Sequence, residues 1–321
     1  ELYDWFLDSI SPLKGIRPKQ REFSRLNLSY TITSKRNLAK LVEEGVVGGW
    51  DDPRMPTISG LRRRGYPSKS IRNFCQHIGI AKTNSTHEIE LLESFVRTEL
   101  NQSSQRRMAV IDPVRLTITN WPEGKIEYRT AINNPENESA GTRDIPFSGS
   151  LFIEREDFKE EPPAKFFRLS PGREVRLRYG YFVTCTDIVK DKSGKVVEIL
   201  CTYDPATSGG KAPDGRKVKA TIHWVEQTNC IKGSVATYDR LFSSERPDLL
   251  DDPFEDLNKE SLEVLESAVF EPAVADVASN EVVQFERLGY FCRDESQVNL
   301  FHRTVGLRDE WANIQKRNKS K

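Results

Sequence analysis

Residues 175–201 read VRLRYGYFVTCTDIVKDKSGKVVEILC. Val175 and Leu177 alternate with Arg176 and Arg178, the two-residue period of a half-buried strand, and the run continues into Tyr181-Phe182-Val183. Asp191-Lys192-Ser193-Gly194-Lys195 is a turn. It leads into Val196-Val197-Glu198-Ile199-Leu200-Cys201, so the segment predicts a hairpin. Outward from it, Val218 to Val225, Leu116 to Thr119 and Leu151 to Glu154 predict further strands, and 208–215 predicts a loop. Many short strands with turns between them imply β-barrels or sandwiches beyond residue 107.

The first hundred residues follow a different period. Ile71, Phe74, Cys75 and Ile78 fall on one helical face, with Pro67-Ser68 as a start signal and Gly79 as a stop. Ser85 and Glu88 fit a capping box for a second helix striped by Ile89, Leu92 and Val96. Asn101-Gln102-Ser103-Ser104 is a polar break and the expected domain boundary. The tail from Lys316 to Lys321 is basic and expected to fray.

The chain has 321 residues, 37% hydrophobic and 30% charged, enough for more than one core. No apolar run approaches the roughly 18–20 residues of a membrane span. The acidic start Glu1-Leu2-Tyr3-Asp4-Trp5 does not resemble a secretory signal, and the missing initial Met suggests a fragment or a processed chain. Five scattered cysteines without a C-x-x-C pair read as reduced cytoplasmic thiols. Net charge is zero, yet residues 1–107 carry 18 Lys+Arg against 12 Asp+Glu, and 243–281 carry 2 against 12. This asymmetry allows a basic RNA-facing side, and equally an incidental segregation of charge.

Several short stretches carry more information. Phe23-Ser24-Arg25-Leu26-Asn27-Leu28 precedes Ile32-Thr33-Ser34-Lys35-Arg36, which resembles the mobile Lys-Met-Ser-Lys-Ser loop of class I aminoacyl-tRNA synthetases. Trp50 to Ile58 and Gly60-Leu61-Arg62-Arg63-Arg64-Gly65-Tyr66 follow at the spacing of the glutaminyl and glutamyl subgroup. Met108-Ala109-Val110-Ile111-Asp112-Pro113-Val114 and Asp214 to Trp224 resemble the same subgroup, the latter in its glutaminyl form. Gln284 to Phe291 and Arg303 to Asp309 match its terminus. The resemblance runs from about residue 2 to 313.

It implies an α+β multidomain chain. Residues 1–36 would end a class I α/β catalytic domain and 37–103 form a helical subdomain. Residues 104–159 with 243–313 would make a proximal antiparallel β-barrel, 160–242 a distal one, and 314–321 a basic tail. The implied activity of the whole protein is ATP-dependent ligation of glutamine to tRNA(Gln) through glutaminyl-adenylate, with Mg2+ accompanying ATP. A monomer in the cytoplasm is expected, and this chain alone is expected not to charge tRNA. A glutamyl-tRNA synthetase of archaeal or eukaryotic type and a stand-alone tRNA-binding module are the alternatives.

By motif position, Arg25, Leu26, Thr33, Ser34 and Lys35 would contact ATP. A lysine on a flexible loop can meet the charge that develops on phosphate oxygens and then withdraw, which makes Lys35 the catalytic candidate. Thr33 stands where the motif usually has Met. Arg106 and Gln284 correspond to readers of the middle anticodon base, with Arg287 nearby. Arg168 corresponds to a reader of the third base, and Lys165 and Arg176 lie near the first; sequence-specific readers use such side chains on base edges. Arg62-Arg63-Arg64 is equally a phosphate clamp or a solvated helix face. His77-Ile78-Gly79-Ile80 imitates the class I His-Ile-Gly-His signature but follows the lysine loop, so it reads as a helix end. His87, His223 and His302 have no metal spacing, and no metal site is expected.

Overall fold

The computed structural model describes residues 1–10 and 17–319, with side chains to 315. Helix α1 (Leu2–Ile10) precedes strand β1 (Leu26–Leu28), then α2 (Lys35–Glu43), α3 (Ile58–Arg63) and α4 (Ser68–Ile78). Strand β2 (Ser85–His87) pairs in parallel with β1 and leads into α5 (Ile89–Ser103). Strands follow at β3 (Arg106–Arg107), β4 (Ala109–Val110), β5 (Pro113–Ile118), β6 (Glu127–Ile132), β7 (Thr142–Phe147) and β8 (Ser150–Glu154). Next come β9 (Glu174–Leu177), β10 (Phe182–Lys190), β11 (Val196–Asp204), β12 (Thr221–Ile222) and β13 (Val225–Glu226). The last strands are β14 (Ile231–Tyr238), β15 (Leu262–Phe270), β16 (Val282–Phe285), β17 (Gly289–Arg293) and β18 (Leu300–Val305), before α6 (Glu310–Lys319).

Helix α4 starts and stops where the sequence indicated: Pro67 is its N-cap and Gly79, at φ +69°, its C-cap. His77 lies in its last turn, its ring 5.4 Å from that of Phe95. The expected capping box is absent. Ser85 belongs to β2, where its hydroxyl meets His87 Nε2 at 3.0 Å. The N-cap of α5 is Glu88, whose side chain makes no capping bond, and Ile89 N–H donates to Ser29 Oγ at 3.0 Å. A strand pairing thus took the residue that local chemistry offered to the helix. The expected frayed tail is helical through Lys319, with Trp311 packed on the α5 cluster; Ser320 and Lys321 lie outside the described residues.

Two seven-stranded sheets dominate, ordered β12-β9-β10-β11-β5-β8-β13 and β3-β16-β17-β18-β14-β15-β4. Each is closed in a barrel-like way by one short run whose halves pair at opposite edges. Residues 221–226 serve the first and 106–110 the second. The single strand expected over Val218 to Val225 is therefore two strands. Trp224, at the corner between them, is buried and donates from Nε1 to the Arg178 carbonyl at 2.8 Å. The sheets are mixed rather than antiparallel: β11–β5, β12–β9, β14–β18 and β16–β3 run parallel, because closure joins strands distant in sequence. The hydrogen bonds also split 104–159 differently from the expected grouping: β3 and β4 join the second sheet, β5 and β8 the first. Glu154 marks the switch, its carboxylate accepting the Ile111 and Asp112 N–H groups at 2.7 and 3.1 Å. The β6–β7 hairpin, which the sequence reading missed, is a separate two-stranded sheet.

Four cores result. One fills the first sheet around Trp224, Phe147 and Leu116, and one fills the second with Phe270, Phe285, Phe291 and Phe301. These four rings pack at centroid distances of 4.7–5.3 Å, and truncating such a phenylalanine costs about 3–5 kcal/mol. The other two cross between regions. Phe74, Leu92 and Val96 pack with Tyr290 and Val305, and Ile32, Leu41 and Met55 pack with Leu241 and Phe242. Gly65, at φ +90°, wedges the α3–α4 turn against the second sheet; a Cβ there would lie 2.6 Å from Cys292 Cβ.

Candidate nucleic-acid interface

The loop from β1 to α2 is held at its base and free at its tip. Ser29 N–H donates to the His87 carbonyl at 2.9 Å, Tyr30 N–H to the Glu245 carbonyl at 2.8 Å, and Ile32 is 2% exposed. Beyond this anchor Thr33 is exposed, and Ser34 is the N-cap of α2 with no side-chain capping bond. Lys35 and Arg36 open the helix, are exposed and have no acidic residue in the first turn beside them. Among the described residues neither cation has an ion pair, and two such cations beside the open backbone N–H groups of a helix start favour an anion. Arg25 is exposed, with its guanidinium 4.0 Å from Asp248 and its backbone N–H on Asn84 Oδ1 at 3.2 Å. Leu26 and Thr33 line one apolar cavity of about 190 Å3 with Met55, Phe74 and Cys75.

The two sheets bring other residues together. Gln284 and Arg106 are register partners on β16 and β3. Arg106 is 5% exposed; its guanidinium donates to the Ser104 carbonyl at 2.6 Å and to the Asn101 carbonyl and Oδ1, both at 3.0 Å, which closes the end of α5. Tyr290, opposite Gln284, also reaches Asn101 Oδ1 at 3.2 Å, and burial raises its phenol above the usual range. Gln284 itself is half-buried, and its amide lies against the Tyr290 hydroxyl rather than in a fork like that of Arg106.

Arg287 and Arg168 converge on Asp157, which is 1% exposed. Arg287 grips it as a fork, Nη1 to Oδ2 at 2.6 Å and Nη2 to Oδ1 at 2.8 Å, from a backbone held at φ +68°. Arg168 Nε lies 3.3 Å from Asp157 Oδ1, and its Nη1 donates to the Glu156 carbonyl at 3.2 Å. His223 Nδ1 is 2.8 Å from Arg287 Nη1, so Nδ1 accepts and the ring proton sits on Nε2, facing Glu154 at 3.5 Å. A cavity of about 370 Å3 opens here between the sheets, lined by both arginines, Asp157 and His223 together with Leu265 and Leu288. Deeper contacts lock the sheets together. Glu286 pairs with Arg178 and accepts from the Tyr179 hydroxyl at 3.1 Å, and Glu271 pairs with Arg143. Burial raises the Glu271 carboxyl above its usual range, against the opposing Arg143 charge.

Lys165 and Arg176 make no ion pair with Asp157 among the described residues. Lys165 is exposed; Arg176 lies over the Phe182 ring at 5.4 Å with its Nε buried and unpartnered, which is not the solvent face its alternating strand suggested. Asp157 escaped the sequence reading, and Asn101 entered it only as part of a polar break. Nothing local marks Asp157 within Glu154-Arg155-Glu156-Asp157, and His223 entered the reading as a histidine without metal spacing. Among the described residues no group of three His, Cys, Asp or Glu side chains could hold a metal, and no helix is long and apolar enough to cross a membrane.

Residues 1–102 match the family model described as tRNA synthetases class I (E and Q), catalytic domain. Residues 104–204 and 221–294 match two models of the same family's anti-codon binding domain. The chain belongs to the class I (E and Q) tRNA synthetases. It is 54% identical to a glutamine–tRNA ligase of Rhodopirellula baltica, over 99% of this chain and 53% of the relative. Against those of Nitrobacter winogradskyi and Proteus mirabilis it is 52% and 50% identical, over 98% of this chain and 56% and 57% of the relatives. The chain spans about half the length of the curated relatives it matches. Within this synthetase family the two sets of residues separate cleanly. Arg25 to Lys35 fall in the catalytic match, and Arg106, Lys165, Arg168, Arg176, Gln284 and Arg287 in the anticodon-binding matches.

Proposed function

We propose that this chain is the tRNA-holding part of a glutamine–tRNA ligase. The whole enzyme would join glutamine to tRNA(Gln) using ATP with Mg2+, through glutaminyl-adenylate. One observation carries the reading: Arg106 and Gln284, remote in sequence, are register partners inside segments that resemble anticodon-binding domains. The middle base of a glutamine anticodon is a uridine, which offers two carbonyl acceptors and one N–H donor. A glutamine amide can both donate and accept, and an arginine fork can only donate. Because the Arg106 fork already holds the end of α5, the half-exposed Gln284 is the primary reader and Arg106 the wall beside it. Arg287 stands near that base, Arg168 reads the third base, and Lys165 and Arg176 serve the first.

At the other end Arg25, Leu26, Thr33 and Ser34 would hold ATP, and Lys35 would place its charge on the phosphates as the adenylate forms. The domains we propose are 1–36 (end of the catalytic domain), 37–103 (helical), and two barrels whose limits follow the two sheets. The enzyme would act as a cytoplasmic monomer.

The test is tRNA binding by the parent chain and Gln284→Ala to cognate and middle-base-substituted anticodons at two salt concentrations. A buried polar reader left unpaired by a wrong base costs about 1–3 kcal/mol. Gln284→Ala is therefore expected to lose discrimination by roughly tenfold while cognate affinity falls less. Equal loss for both tRNAs would remove Gln284 from the reader set.

A further inference from the structure

The three arginines of Arg62-Arg63-Arg64 have three fates. Arg62 is exposed. Arg63 is paired, Nη1 at 3.1 Å from Asp51 and Nε at 3.0 Å from Asp294. Arg64 points into the junction between α3 and the second sheet. Its guanidinium lies 5.3 Å from the Tyr238 ring and 5.8 Å from the Tyr66 ring, and its Nε is sealed from solvent without a hydrogen-bond partner. Arg303, on β18, lines the same cavity, of about 210 Å3. Among the described residues neither arginine has an ion pair, and neither guanidinium donates a hydrogen bond.

The neighbouring acids are engaged elsewhere. Arg240 takes Glu90 and Glu93, each at 2.7 Å, and Asp239 Oδ1 accepts the Arg240 backbone N–H at 2.7 Å. Burial first, and the Arg64 charge second, hold the Arg303 guanidinium below its usual range, with Glu93 opposing them. Gly306 leaves the room that Arg303 uses: a Cβ there would lie 3.2 Å from Arg303 Nη2. Glu93 and Asp239 line the same cavity but are engaged by Arg240, and two partly desolvated like charges that lack an ion-paired carboxylate of their own are unfavourable. A guanidinium matches a phosphate through paired N–H donors, so one phosphate bridging both would relieve the repulsion and satisfy the unused donors.

We infer that Arg64 and Arg303 form a receptor for a phosphate group at the junction of the helices and the second sheet, apart from the cleft that holds Arg168 and Arg287. The phosphate can come from an RNA backbone or from free phosphate. The recognition chemistry is the same, and it does not depend on the anticodon reading.

The chain, Arg64→Gln and Arg303→Gln are melted in inorganic phosphate and in sodium chloride of matched ionic strength. Phosphate is expected to raise the parent Tm by several degrees more than chloride does, and each variant is expected to lose that increment. Without phosphate, Arg303→Gln is expected to melt no lower than the parent, because it removes a like charge. If one variant fails to fold, the other single variant decides. Equal increments from phosphate and chloride in the parent, or an undiminished phosphate increment in the folded variants, overturn the inference.

Binding of tRNA then assigns the source. If the RNA backbone supplies the phosphate, Arg303→Gln lowers tRNA affinity severalfold, for cognate and substituted anticodons alike, and reduces the salt dependence by about one ion. If free phosphate is the ligand, tRNA affinity stays unchanged while the Tm increment is lost.

Discussion

The start of α2 and the cleft between the sheets use cations in opposite ways. Lys35 and Arg36 stand exposed on a loop tip beside unpaired backbone N–H groups, with no acid in their first turn. Arg168 and Arg287 share the buried Asp157, and Arg287 is further fixed by His223 and by its own left-handed backbone. A charge that must meet a transient partner is best left free. A charge that must discriminate is best held by a carboxylate already in place, so that a ligand finds a fixed fork. If Arg168 and Arg287 meet RNA as proposed, Asp157 sets the geometry that the ligand must fit.

The sharpest way to break this contrast is Asp157→Ala. Removing the buried carboxylate strips Arg287 of two charge-assisted hydrogen bonds and Arg168 of its acidic partner, and a loss of about 3 kcal/mol is expected. Urea unfolding reads it as a lower midpoint at unchanged slope. A change below about 0.5 kcal/mol, the range of ordinary surface substitutions, would mean that Asp157 does not hold the cleft.

Lys35→Ala should do the reverse. Stability is expected to stay within about 0.5 kcal/mol of the parent. In the full-length enzyme, ATP–pyrophosphate exchange measured with tRNA present is expected to fall about 100-fold, near 2.7 kcal/mol of transition-state stabilisation. An unchanged exchange rate would take the catalytic role away from Lys35.

Lys165→Ala should give the smallest effect. The side chain is exposed and, among the described residues, has no ion pair. A uniform loss of tRNA affinity below about 1 kcal/mol, shrinking at higher salt, is expected of a phosphate contact. Base-dependent loss would instead assign Lys165 to first-base reading.

Local chemistry was readable where the residues satisfied themselves locally. The turn Asp191 to Lys195 closes its hairpin with Lys195 N–H on Asp191 Oδ1 at 3.0 Å, and Gly79 stops α4 in a conformation that glycine adopts freely. Ser85 misled because its capping chemistry is real but weaker than a parallel ladder of three register pairs with β1. The site divides in the same way. The residues of the Ile32 to Arg36 loop lie together in sequence, so their motif could be read directly. Asp157 carries no signal, since its meaning is Arg287, 130 residues away.

Periodicity and short motifs were enough for the helical beginning, the switch to strands after residue 107, the hairpin and the family resemblance. Each of these rests on period or on short-range motifs, which need no knowledge of distant contacts. The tertiary structure alone decided that 106–110 and 221–226 each close a barrel-like sheet, and that Gln284 stands beside Arg106. It also placed Arg168 and Arg287 on one carboxylate, and among the described residues left Arg64 and Arg303 without one. Those outcomes depend on which strands and side chains meet across the fold. Pairing between remote segments is fixed by the packing of whole faces and by the partners available to each buried charge, and neither quantity is written in any local stretch of the chain.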